Sequence, residues 1–177
     1  MSTISATTRL SSDTDVISSG VDEQQQARQW LLRTIRNQGG EFALIIVLCN
    51  SVPEQHRQIK LLRREFSGNL PELKLPPTAQ TLCSTIRHQR SNLNPGHPQA
   101  LMVTGLDGVE ALDDLLAATN NAVNALVRNI PHPLVLWMGN QAFRRLVRCA
   151  PDLANRAPAA IRFRDAPGKG VCPTPFK

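Results

Sequence analysis

Asn50, Ser51, Asp107 and Asn140 are the residues of this 177-residue chain whose types and positions could do chemistry. Each follows an apolar run: Asn50 and Ser51 come after residues 42–48 (FALIIVL), Asp107 after 100–104 (ALMVT) and Asn140 after 134–138 (LVLWM). A carboxylate at such a place can hold a magnesium ion or polarise a water. The amide and hydroxyl groups of Asn50, Ser51 and Asn140 can contact a phosphate. Each residue also has a structural alternative. Asp107, with Glu110, suits the start of the following helix, where acids beside free amides stabilise by roughly 0.3–1 kcal/mol. That reading is preferred, since no lysine accompanies the acid. Asn140 is likewise expected to cap the helix that it precedes.

The loop after the first apolar run reads Cys49-Asn50-Ser51-Val52-Pro53-Glu54-Gln55. A phosphate-cradling loop, G-x-x-x-x-G-K-[ST], uses glycines for close backbone approach and a lysine to reach the terminal phosphates. Neither is present, and Pro53 removes one amide that would face an anion at the helix start. Triphosphate binding is therefore disfavoured there. His56, His88, His97 and His132 are scattered, with no metal-ligand spacing and no triad order. No catalytic residue, metal site or cofactor is expected. Gly168-Lys169-Gly170 resembles a fragment of a phosphate loop but follows no strong strand and precedes no helix.

The elements that must position these loops alternate in type. Runs 42–48, 100–104 and 134–138 lack polar alternation, as strands covered on both faces do. A shorter strand is expected over 73–75, near a sheet edge because prolines border it, and a last one over 160–163. Helical spacing predicts a helix over 22–36, stopped by Gly39-Gly40, and another after Pro53 with Ile59, Leu62 and Phe66 on its apolar face. Further helices are expected over 78–90, with Thr78 as cap, and over 109–128 as one long element. The last begins after Gly139-Asn140, with Phe143, Leu146 and Val147 on its apolar side. Strands alternating with helices imply a mostly parallel central sheet with helices on both faces. Residues 21–165 form one domain on this reading, 1–20 a polar disordered tail, 91–99 a loop and 166–177 a flexible tail.

Composition narrows the function classes. The net charge is +6, with basic groups after Asn140 (Arg144, Arg145, Arg148, Arg156, Arg162, Arg164, Lys169, Lys177) and on the helix after Pro53 (Arg57, Lys60, Arg63, Arg64). No aromatic residues are interleaved with these charges, so solvated helix faces are a better account than a nucleic-acid surface. No apolar run is long enough to span a bilayer. The N-terminus lacks the basic-then-apolar pattern of a secretory signal. Cys49, Cys83, Cys149 and Cys172 are widely spaced, which suits free thiols in a reducing cytoplasm.

Three segments carry a family resemblance: FALIIVLCNSVPEQHRQIKLLR, ALMVTGLDGVEALDDLLAATNNAVNAL and HPLVLWMGNQAFRRLVRCAPDL. Across residues 41–162 the chain resembles the N-terminal P-loop NTPase-like region of large bacterial signalling proteins, of the STAND (signal-transduction ATPases with numerous domains) or related AAA type. Those proteins continue into tetratricopeptide repeats. The resemblance implies a three-layer P-loop-NTPase-like α/β domain. Residues 42–48 would be the strand before the phosphate loop, 101–107 would hold the magnesium-binding position, and 134–138 would be the sensor strand. Residues 152–163 depart from the family, which carries aromatic residues there. The expected function is a non-catalytic, degenerate NTPase-like module in protein interaction or signalling scaffolding, with the chain expected to be a shortened form of a longer repeat protein. The alternative is a weak nucleotide-binding STAND-type ATPase domain using Asn50, Ser51, Asp107 and Asn140. A protein partner is expected, with nucleic acid and membrane insertion disfavoured.

Overall fold

A computed structural model describes residues 13–38, 40–89 and 98–164. Its elements are α1 (Asp13–Asn37), β1 (Leu44–Leu48), α2 (Val52–Glu65), β2 (Glu72–Lys74), α3 (Leu82–Gln89), β3 (Leu101–Thr104), α4 (Leu112–Asn121), α5 (Val123–Asn129), β4 (Leu134–Met138), α6 (Asn140–Cys149), α7 (Pro151–Ala154) and β5 (Ala160–Arg162). The five strands form one sheet in the order β2-β3-β4-β1-β5, and every pairing is parallel. The fold is α/β with helices on both faces of the sheet, as the strand–helix alternation implied.

The unalternated apolar runs are explained by which side of the sheet each residue meets. On β1, Leu44, Ile46 and Leu48 enter one buried cluster, while Ile45 and Val47 enter the other. On β4 the same division separates Leu134, Leu136 and Met138 from Val135 and Trp137. The first cluster is closed by α3 to α7, through side chains such as Leu82, Leu115, Leu126, Leu146 and Leu153. The second is closed by α1 (Leu31, Leu32, Ile35) and α2 (Ile59, Leu62). Within it, Trp137 stacks on Phe163 at 5.6 Å and donates its indole N–H to Met102 Sδ at 3.2 Å. That gives the buried indole a partner for its polar edge.

Several boundaries differ from the sequence reading, each for a local reason. Helix α1 begins at Asp13 rather than at 22. Gly20 and the serines before it are weak helix formers, which is why local propensity stops short of them. Helix α3 starts at Leu82, capped by Thr81, whose Oγ1 accepts from the Ser84 amide at 3.0 Å; Thr78 is not the cap. The single helix expected over 109–128 is a short 3-10 turn at Leu106–Gly108 followed by α4 and α5, with a break at Ala122. Thr119 is buried and returns its hydroxyl to the Leu115 carbonyl at 2.7 Å, while also accepting from the Leu82 amide at 3.2 Å. Such back-bonding weakens a helix, and Asn120-Asn121 follow it with low propensity. Val147, expected on the apolar face of α6, is half exposed; Ala142 and Leu146 are the buried residues there. The strand expected near an edge over 73–75 is the edge strand β2, and the last strand expected over 160–163 is β5, which lies at the opposite edge. The 91–97 part of the expected loop, the 166–177 tail with Gly168-Lys169-Gly170, and Cys172 lie outside the described residues.

Candidate functional site at the carboxyl edge of the sheet

The chain path creates a crevice between β1 and β4. From β1 it travels through α2 towards the β2 edge; from β4 it travels through α6 and α7 across β1 to β5. Crossovers of one hand that leave in opposite directions must cover opposite faces. Accordingly α2 packs in one buried cluster and α6 in the other. The carboxyl ends of β1 and β4 therefore flank a topological switch point, the usual place for a ligand in an open parallel sheet.

The loops meeting there are bound to one another. The Cys49 amide donates to the Met138 carbonyl at 2.9 Å, extending the β1–β4 pairing past the strand end. Asn50 Oδ1 accepts from the Asn140 amide at 2.8 Å. Asp107 accepts from the Gly139 amide with both carboxylate oxygens, at 2.9 and 3.1 Å. Gly105, at φ 87°, makes the left-handed turn that carries the chain from β3 to Asp107. Gly139 is needed for close approach: a Cβ there would sit 2.8 Å from Asp107 Oδ1 and 3.4 Å from Asn50 Oδ1.

Asp107 and Asn140 thus take roles different from those expected. Asp107 does serve a helix N-terminus, but that of α6, reached across the sheet, rather than the helix following it in sequence. Helix α4 instead has Asp113 and Asp114 in its first turn. Asn140 is not the cap of α6; Gly139 holds that position, and the amides of Gly139 and Asn140 are satisfied by Asp107 and Asn50. A carboxylate at the positive end of a helix is favourable. The first two backbone amides of this helix start are thereby already taken.

The first-strand loop is equally committed. Only Cys49-Asn50-Ser51 separates β1 from α2. Ser51 caps α2, its hydroxyl accepting from the Glu54 amide at 3.4 Å. Glu54 follows in the first turn and is 5% exposed. Its carboxylate accepts from Gln58 Nε2 at 2.6 Å and from Arg57 Nη1 at 3.4 Å. Gln58 is fully buried and continues the network, donating to Gln24 Oε1 at 2.8 Å and accepting from Arg28 at 3.0 Å. Arg57 is thus paired with an acid of its own helix. A buried carboxylate beside the α2 N-terminus opposes a phosphate at the place where a phosphate loop would hold one.

Of the candidate residues, Asn50, Asp107 and Asn140 meet at the crevice, and Ser51 is turned to its own helix. Sequence reasoning counted Arg162 only among the basic residues after Asn140 and gave it no site role; it ends β5 and donates from Nη1 to Asn140 Oδ1 at 3.3 Å. Locally it is only the polar residue closing the short run Ala160-Ile161, and its place beside Asn140 comes from β5 pairing with β1. A cleft of about 390 Å³ opens beside it, lined by Leu48, Asn50, Asn140, Arg162, Phe163 and Arg164. Among the described residues no cluster of histidine, cysteine and acidic side chains is arranged to hold a metal ion.

The basic groups do not merge into one surface. Helices α2 and α6 cover opposite faces, and most of their arginines meet acids: Arg63 with Glu72 at 3.5 Å, and Arg145 and Arg148 with Asp113 at 3.7 and 3.0 Å. Among the described residues no helix is long and apolar enough to cross a membrane. No protein-family model matches the chain, and no curated protein matches it at a significant level.

Proposed function

We propose that this domain is a non-catalytic, degenerate NTPase-like module that acts through protein contacts, in interaction or signalling scaffolding. The observation that carries the reading is the fate of Asp107. Its two oxygens lie on the Gly139 amide, so the carboxylate that a magnesium-dependent site would present to metal is spent on joining two loops. The buried Glu54 and the three-residue β1–α2 connection support the same conclusion, since neither leaves room or charge for a triphosphate. The resemblance to STAND-type regions supplies the class, and the tied-down loops account for lost chemistry within it. Nucleic acid is the weaker partner class, because the basic helices face away from each other and lack interleaved aromatics.

A second reading, weak nucleotide binding by a STAND-type ATPase domain, is favoured by one observation: Asn50, Asp107 and Asn140 do converge at the switch point. Calorimetry with magnesium-ATP separates the two. The interaction reading expects no saturable heat at micromolar concentrations and no phosphate release over the uncatalysed background. Micromolar affinity that disappears in Asp107→Ala would refute it and establish the nucleotide reading.

A further inference from the structure

The polar lining of the cleft between the ends of β1 and β5 is rich in hydrogen-bond donors. The hydrogen-bond network fixes both amide orientations on its polar wall. Asn50 must turn its oxygen to the Asn140 amide, and Asn140 must turn its own oxygen to Arg162. What each residue has left is an NH2 group, a donor only. Arg162 adds a guanidinium with no carboxylate partner among the described residues. Arg164 adds another, held by Glu23 at 3.1 Å through Nε. The floor is rigid, since Phe163 is stacked on the buried Trp137.

We infer that this cleft is a binding site for the phosphate group of a small phosphomonoester. Donor-bearing side chains line it from three separate elements: Asn50 after β1, Asn140 at the start of α6, and Arg162 and Arg164 on and after β5. A tetrahedral phosphate can accept from donors on several elements, whereas a planar carboxylate is matched by a single arginine fork. The volume of about 390 Å³ suits a ligand at the small end of the usual range. The site is separate from the Asp107–Gly139 contact and uses no metal. It goes beyond the interaction reading, which can fail or stand without it.

The test is an NMR titration of the full chain with inorganic phosphate, followed at the side-chain amides of Asn50 and Asn140 and at the arginine Nε–H groups, with acetate as the control anion. Saturable shifts at these groups in the millimolar range are expected with phosphate. Arg162→Gln should weaken them about tenfold or more, the loss of a charge-assisted hydrogen bond. Arg63→Gln, which removes a basic residue paired with Glu72 elsewhere on the molecule, should leave them unchanged. Arg162 is exposed on an edge strand, and an unchanged amide spectrum in Arg162→Gln establishes that the variant folds. Three results would overturn the assignment: no saturable shift with phosphate, equal affinity for acetate, or the same affinity in Arg162→Gln as in the native chain.

Discussion

Replacing Gly139 by Ala should destabilise the domain through Asp107, and a double-mutant cycle can show that it does. The backbone at 139 has φ −80°, which alanine adopts freely, so no strain arises from the dihedral itself. The added Cβ would stand 2.8 Å from Asp107 Oδ1, inside any normal contact. The carboxylate is the mobile partner and must leave, abandoning the amide at the start of α6. Losing a helix cap or a charged hydrogen bond costs about 1–2 kcal/mol. Asp107→Ala removes the same bond directly and should cost a similar amount. Once Asp107 is gone, the alanine methyl meets only the 3.4 Å approach of Asn50 Oδ1, which is close to ordinary contact. The reduced entropy of the unfolded chain then offsets part of what remains. The double variant should therefore lie near either single one, with a coupling energy of about 1 kcal/mol in urea unfolding. Losses that add to within about 0.3–0.5 kcal/mol would refute the claim that Gly139 and Asp107 act as one unit.

Other expectations concern the rest of the fold. Leu136→Ala, at a fully buried position of β4, should cost about 2–5 kcal/mol, and a loss below about 1 kcal/mol would place it outside the core. Gln58→Leu should be destabilising by about 1–3 kcal/mol despite its greater apolarity, because Glu54 and Arg28 lose partners in a buried setting; urea unfolding measures the loss, and a neutral or stabilising result would contradict the network. Binding to arbitrary DNA should be weak and vanish at moderate salt. Submicromolar binding at physiological ionic strength that is reduced by Arg144→Glu and Arg145→Glu would restore a nucleic-acid function.

What was legible in the sequence followed how locally each feature is encoded. The β1 and β4 runs are apolar at every position because both faces of a central strand are covered, and that pattern needs no knowledge of the rest of the chain. The break between α4 and α5 follows the back-bonded Thr119 and the low-propensity Asn120-Asn121, signals that the apolar periodicity ran through. The site divides in the same way. Asn50, Asp107 and Asn140 could be singled out because each follows an apolar run. Their roles could not, since Asn50 meets Asn140 across 90 positions and Asp107 caps a helix belonging to another strand. Arg162 was hidden for a further reason: its significance comes from β5 lying beside β1, and strand order is not written in local pattern.

The most direct measurement of the central claim is hydrogen exchange at the Gly139 and Asn140 amides, with and without magnesium-ATP. If Asp107 and Asn50 hold these amides permanently, both should be protected well beyond exposed loop amides, and the nucleotide should leave their exchange unchanged. Exchange at the rate of open loop amides, or protection that changes when magnesium-ATP is added, would mean that the two loops are free to receive a ligand and would contradict the account.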